Sequence, residues 1–531
     1  MLKFTKTLPV LCLSGLLAVC SACSVDRPDY SATDAEICRD LALLPQDLQA
    51  YASIGFDAAT ADLELVTPSR LETSRLRAAE RFYAPWNFKP GVKTKLPAKE
   101  AMWGAFSLKP ERGYIENLRP YPQKRWAALK KNSNLSTYPN SNLRAITLRH
   151  CDLRLMPTAS PYFFNPGAAG QGYPFDYLQN SSLPLGTPIR IIHVSKDGQW
   201  ALSESASAIG WINMADLAAV DEAFILAWTS RPLAALTMED TEIPPDYKNE
   251  VSAESIAPHP GSTQKVPALP PLNRLASIGA LLPYDQTSTE NSTFPLGSRG
   301  FSANRTNNLD SRSDNPPNLR QPGTTARPKA RGGIKVFFPE RGPDGQAKIA
   351  SCTLNSTQAA PWPLPLTRRN LAELGNRMLG QPYGWGGWGG NRDCSTLMRD
   401  LFLPFGFWLP RNSGAQSNIG EKINLAKLTP AEKEAAILEQ GVPFLSMVGM
   451  PGHIGLYIGK HEGRALIFHN IWGLRVNRRP ESFAPAAPAR VIIGKAVITT
   501  LTPGAERKDI ATPNSLLDRV NSVNLLVPPS D

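Results

Sequence analysis

Hydrophobic and polar positions follow different periods along this chain, and the changes of period divide it. Upstream, Thr33-Asp34-Ala35-Glu36 offers a helix start, and Leu76, Ala79 and Phe82 recur on one helical face between Thr73 and Phe82. The stretch from Val25 to about Tyr121 therefore reads as mostly helical. From about Leu143 to Val220 the pattern turns to short runs with turns between them. A strand enters at Leu185-Gly186-Thr187 and runs to Val194, Asp197-Gly198 marks a hairpin, and Gly210-Trp211-Ile212 closes the set. Ala223 to Thr229, Ser277 to Tyr284, Ile334 to Pro339 and Ala347 to Thr353 are predicted as further strands. Two polar, Pro-rich insertions, near 242–271 and 286–333, interrupt them. The second carries Arg299, Arg305, Arg312, Arg320, Arg327, Lys329 and Arg331 with few apolar residues, so it is expected to stay disordered.

The last third holds the chemistry. A glycine-rich run, Tyr383-Gly384-Trp385-Gly386-Gly387-Trp388-Gly389-Gly390-Asn391-Arg392-Asp393, leads into Cys394. Leu397, Met398, Leu401 and Phe402 follow at helical spacing, which predicts a helix starting at Cys394 with Asp393 as its N-cap. A thiol there feels the positive end of the helix dipole, which favours the thiolate. Further helices are predicted at Thr367 to Leu379 and from Thr429-Pro430-Ala431-Glu432, strands at Val442 to Val448 and Arg490 to Leu501, and a short helix over Ser515 to Leu526. Between them, His453-Ile454-Gly455-Leu456-Tyr457-Ile458 and Ala465-Leu466-Ile467-Phe468-His469 read as two strands of one hairpin. Antiparallel pairing brings His453 and His469 together. A cysteine at a helix start beside two such histidines is the layout of a papain-like thiol hydrolase: Cys394 attacks, His453 exchanges the proton, and His469 orients it.

At these residues the chain resembles the NlpC-type cell-wall peptidase family. The resemblance rests on Tyr-x-Trp-Gly-Gly followed by Asp-Cys-Ser, on Gly-His-Ile-Gly-Leu-Tyr-Ile-Gly, and on a third polar residue in the next strand, over roughly Leu366 to Thr500. The upstream half resembles a branch with an N-terminal helical segment and two bacterial SH3-like domains. The implied fold is a multidomain α+β protein: a signal at 1–22, a helical clip at 23–125, SH3-like barrels at 126–222 and 223–358, and a papain-like peptidase domain at 359–531. The implied reaction is hydrolysis of the γ-D-glutamyl–diamino acid bond of peptidoglycan stem peptides. Asp393 and Ser395 would then contact the substrate's free L-alanine amine and Trp385 would wall the cleft. A loop of the first SH3-like domain borders the cleft in such enzymes, so Asp176 or Tyr177 is expected to meet that amine. A silent peptidase that only holds wall peptide, or an amide-transferring relative, would keep the same layout.

Composition adds an address. Lys3 and Lys6 precede an apolar run from Leu8 to Val19, a secretory signal too short to span a bilayer. Cys20-Ser21-Ala22-Cys23 resembles a lipoprotein cleavage box, so Cys23 is expected to carry lipid and hold the protein, a monomer, in the cell envelope. An oxidising envelope permits a disulfide, Cys38 with Cys151 as one pairing, with a thiol left over. The net charge of +11 suits an anionic partner such as cell-wall glycan and its acidic peptides. No nucleic-acid motif is present, no cofactor is implied, and no Cys/His spacing suggests a metal site.

Overall fold

The computed structural model describes residues 34–52, 64–89, 91–168, 170–244, 274–289, 294, 296, 332–477, 489–510, 513 and 515–526. The signal segment, Cys23 and most of the two insertions lie outside these residues.

Seven helices open the described chain: α1 (Asp34–Ile37), α2 (Arg39–Leu43), α3 (Leu48–Ala52), α4 (Pro68–Tyr83), α5 (Ala98–Ala101), α6 (Trp103–Ser107) and α7 (Gln123–Asn132). They do not form a core of their own. Leu48, fully buried, packs with Leu371, Leu397, Leu456 and Phe468 of the C-terminal domain. Trp86 caps the first barrel, its indole N–H donating to the Ala145 carbonyl at 2.9 Å. A buried leucine contributes about 1.5–3 kcal/mol, so the segment braces the later domains rather than standing alone.

Strands β1 (Leu143–Thr147), β2 (Cys151–Arg154), β3 (Gln179–Leu183), β4 (Pro188–Val194), β5 (Trp200–Glu204), β6 (Ile209–Asn213) and β7 (Leu217–Ala219) make one antiparallel sheet ordered β3-β2-β6-β5-β4-β1-β7. Trp211 is fully buried in its core, and Trp200 packs against the same cluster.

Helix α8 (Glu222–Thr229) comes next, where the sequence predicts a strand. Phe224-Ile225-Leu226-Ala227-Trp228 is an apolar run that period alone cannot assign. The deciding signal is Asp221, whose carboxylate accepts the Phe224 N–H at 2.7 Å and caps the helix. A second β-unit then contains β8 (Leu233–Leu236), β9 (Thr241–Glu242), β10 (Leu275–Ala276), β11 (Leu281–Pro283), β12 (Gly333–Arg341), β13 (Ala347–Asn355) and β14 (Ala359–Pro361). β8 lies between β11 and β14, β12 pairs with β13, and a bridge from Tyr284 to Val336 joins the two sets.

The C-terminal domain starts with α9 (Arg368–Met378) and α10 (Cys394–Phe402), followed by α11 (Ser413–Gln416), β15 (Glu421–Asn424), α12 (Pro430–Gln440), β16 (Ser446–Met450), β17 (His453–His461), β18 (Arg464–Val476), β19 (Ala489–Thr500), α13 (Leu516–Arg519) and β20 (Ser522–Leu525). Its sheet is ordered β15-β20-β16-β17-β18-β19. The tail predicted as one short helix is instead a helical turn plus β20, which inserts between β15 and β16. Cys38 and Cys151, offered as a disulfide, are both free; Cys38 is buried against this sheet and Cys151 inside the first barrel, in separate cores.

Candidate active site

The glycine run before Cys394 is shaped by contact with the first barrel. Gly386 and Gly387 have φ of +66° and +83°, in the region glycine tolerates. A Cβ on Gly387 would lie 2.1 Å from Ser182 Oγ, and one on Gly386 2.7 Å from the Gln179 carbonyl oxygen, so only a bare backbone fits against β3. The loop then enters α10. Asp393 Oδ1 accepts the Thr396 N–H at 2.8 Å, the cap expected from sequence, and places Cys394 in the first turn.

The hairpin is built as predicted, with one refinement. The β17–β18 ladder runs from His461↔Arg464 to Leu456↔Phe468. Beyond Leu456 the two strands stay close, a Cβ on Gly455 lying only 3.2 Å from His469 Cβ, and the start of α10 packs beside them. The Ile454 N–H meets the Cys394 sulfur, and Asn470 Nδ2 donates to the Arg392 carbonyl at 2.9 Å. Cys394 thus sits against the residue after His453. His453 Nε2 and His469 Nδ1 lie 2.7 Å apart, and His469 Nε2 lies 3.1 Å from Thr499 Oγ1. His453 is 8% exposed, Cys394 6% and His469 0%, so the site is almost dry.

That burial works against the expected resting thiolate. Burial, followed by the Asp393 charge, pushes the Cys394 thiol up to about 12. Burial, followed by Arg519, pushes His453 down to about 3, and burial and His453 hold His469 well below its usual range. A helix end supplies ~0.3–1 kcal/mol, whereas one pH unit is worth about 1.4 kcal/mol, so burial wins. Burial thus opposes both the thiolate of Cys394 and the imidazolium of His453.

Buried neutral imidazoles also predict how stability varies with pH. The folded pKa of each lies below the unfolded value of ~6.5. The contribution is therefore complete above pH ~6.5 and is lost as pH falls toward the folded values. For His453 that window ends near 3 and for His150, also depressed by burial, near 4. Denaturant melts between pH 6.5 and 4 are expected to show stability falling by up to ~1.4 kcal/mol per pH unit per imidazole. A flat response across that window would contradict the buried, neutral state.

Around the nucleophile the predicted contacts divide. Asp393 and Ser395 flank Cys394, but their polar atoms are already in use. Arg411, which the sequence does not single out, donates to Asp393 Oδ2 at 2.7 Å, to Ser395 Oγ at 2.9 Å and to Ser181 Oγ of β3 at 2.9 Å. Burial opposes ionisation of Asp393, yet Arg411 and the Thr396 bonds hold its carboxyl down at about 2. Trp385 and Tyr177 do meet, with ring centroids 5.5 Å apart, and Phe175 packs on Trp385 at 5.3 Å and on Trp472 at 6.0 Å. Asp176 does not reach the cleft. It is 1% exposed, pairs with Arg154 at 2.6 Å, and accepts the Tyr162 and Leu178 N–H groups. Its neighbour Tyr177, in the turn closed by the Gln179 N–H to the Asp176 carbonyl at 2.9 Å, is only half-buried and takes the position facing Trp385. Tyr383 is legible as part of the motif but not as a participant; burial, followed by its nearness to Cys394 and Asp393, holds its hydroxyl well above the usual phenol range. Among the described residues, no cluster of His, Cys, Asp and Glu could hold a metal ion, and no helix is long and apolar enough to cross a membrane.

Comparison with known proteins places these parts. Residues 9–138 match the "NLPC_P60 stabilising domain, N term", residues 161–213 an "SH3 domain (SH3b1 type)" and residues 380–480 the "NlpC/P60 family". A gamma-D-glutamyl-L-lysine dipeptidyl-peptidase of Bacillus subtilis (strain 168) is 32% identical over 94 residues, which is 18% of this chain. The chain spans 30% of the length of that relative. An NlpC/P60 endopeptidase from Photobacterium damselae subsp. piscicida shares the fold at TM-score 0.69 and 23% identity, over 91% of this chain and 98% of that one. Helical brace, SH3-like barrel and cysteine-bearing α+β domain therefore correspond to known modules, and residues 380–480 of this chain belong to the NlpC/P60 family.

Proposed function

We propose that this chain is a cysteine hydrolase that cuts the γ-D-glutamyl–diamino acid bond of peptidoglycan stem peptides, acting on peptides that begin with a free L-alanine. The observations that carry the reading are Cys394 in the first turn of α10 with its sulfur at the Ile454 amide, next in sequence to His453, and the buried pair of His453 and His469, whose ring nitrogens lie 2.7 Å apart. In the reaction, Cys394 Sγ attacks the amide carbonyl while His453 takes the thiol proton. The C–N bond breaks, and His453 passes that proton to the leaving amine. Water, deprotonated by His453, then attacks the thioester and frees the thiol. His469 holds the His453 ring and stabilises its transient charge.

Two features favour a short acidic peptide with a free end. The barrel abuts the glycine run at Gly386 and Gly387, while Phe175 and Tyr177 pack on Trp385, so the barrel closes the cleft beside the nucleophile. A chain that starts there fits better than one that passes through. Arg519 and Arg490 bring positive charge near His453 and Tyr383 respectively, suited to the carboxylates of a stem peptide.

The test compares L-Ala-γ-D-Glu-diaminopimelate with its N-acetylated form. Cleavage between glutamate and diaminopimelate is expected for both, with kcat/KM about 10- to 100-fold higher for the free amine, the worth of one or two charge-assisted hydrogen bonds. Equal rates would remove the free-amine requirement. No cleavage of either would remove the γ-glutamyl assignment.

A further inference from the structure

The polar row does not end at His469. His469 pairs with Val497 and Ile467 with Thr499, so Thr499 is the diagonal neighbour of His469 on the same face of the sheet. Both side chains are fully buried, with His469 Nε2 and Thr499 Oγ1 3.1 Å apart. A threonine hydroxyl has one proton to give. Here it goes to the Thr500 carbonyl at 2.7 Å. The lone pairs of Oγ1 are then what faces His469.

The consequence runs back along the row. His469 Nε2 must carry its proton and donate to Thr499. A neutral imidazole has a single N–H, so His469 Nδ1 is bare and accepts from His453 Nε2, 2.7 Å away. His453 Nδ1 is then the bare nitrogen, free to receive the thiol proton of Cys394. Turning the Thr499 hydroxyl the other way would reverse every proton, leaving His453 with Nδ1–H and no lone pair for the thiol.

The backbone around Thr499 is held from outside. β19 is the edge strand of its sheet, and the N-terminal helices cover its free edge. Gln46 donates to the Ile498 carbonyl and accepts the Ile498 N–H, both at 2.9 Å. Asp40 Oδ2 accepts the Thr500 N–H and hydroxyl, both at 2.7 Å. The residues on either side of Thr499 are thus clamped by the α2–α3 segment.

We propose that Thr499 is a positioning residue: its hydroxyl, aimed by the N-terminal clamp, selects the tautomer of His469 and through it that of His453. The proposal rests on the hydrolase reading above, so its test has one arm that needs no substrate. With six histidines in the chain, ring 15N shifts can be assigned by single His→Gln variants. In Cys394→Ala protein, both His453 and His469 are expected as Nε2–H tautomers. Adding Thr499→Val, which keeps shape and removes the hydroxyl, is expected to leave His469 a mixture. In active protein, Thr499→Val is expected to lower kcat by about 10- to 100-fold, the usual effect of losing such an outer partner, with KM little changed. Thr499→Ser is expected to retain kcat within a few-fold. Unchanged tautomers in Thr499→Val, or Thr499→Ser as impaired as Thr499→Val, would overturn the proposal. If wild type cleaves no stem peptide while the tautomers behave as described, the hydrolase reading fails and the hydroxyl's control of the rings stands.

Discussion

Cys394→Ala is expected to reduce stem-peptide hydrolysis by on the order of 10⁴- to 10⁶-fold, as loss of a nucleophile does in comparable triads. Stability should barely change. The side chain is small, and alanine is an excellent residue in a helix that Asp393 still caps at Thr396. Parallel assays of wild type and Cys394→Ala by chromatography of the products, with denaturant melts beside them, separate the two effects. Comparable cleavage by both proteins would end the thiol mechanism. A folded variant with no activity supports the nucleophile; an unfolded one would show that Cys394 packs more than it reacts.

The largest expected effect on stability belongs to Arg411. This guanidinium is 7% exposed and Asp393 8% exposed, and three of its nitrogens bond across α10 and β3. Arg411→Met leaves the Asp393 carboxylate buried with its cation gone, which costs about 3–5 kcal/mol when one partner of such a pair is removed. The carboxyl should then titrate well above about 2, where Arg411 now holds it. Asn serves equally well as an N-cap, so adding Asp393→Asn removes the stranded charge and should recover part of the loss. Urea melts of the two single variants and the double variant measure the coupling. A single-variant loss below ~1 kcal/mol, the range of exposed ion pairs, would show that the pair does not hold loop, helix and barrel together.

What the sequence makes legible is local. The Cys394 helix announces itself through a capping aspartate and four apolar residues on one face, all within ten positions. The hairpin is similarly plain, because two β-rich runs flank a glycine-bounded turn. The parts that cannot be read depend on distant stretches of the chain. Ser522–Leu525 alternates polar and apolar over only four residues, too short to stand out, and pairing with β15 and β16 makes it a strand. Arg411 sits 18 residues beyond Asp393 in a loop, and its role depends on the fold bringing Asp393, Ser395 and Ser181 of β3 to one guanidinium. Thr499 carries no signal at all, since a threonine in a strand is ordinary. Asp176 departs from expectation for a different reason: a loop aspartate is expected to face substrate, whereas Arg154, fully buried in the barrel, draws it inward. The helix dipole that favours a thiolate at Cys394 is visible in sequence, whereas the burial that opposes it is not.

The most direct test of the proposed mechanism is alkylation by iodoacetamide at neutral pH, with peptide mapping and residual activity measured together. Activity is expected to fall in step with modification of Cys394, stem peptide to protect it, and His453→Gln to slow the labelling by removing the base that accepts the thiol proton. Full modification of Cys394 with activity retained would contradict it.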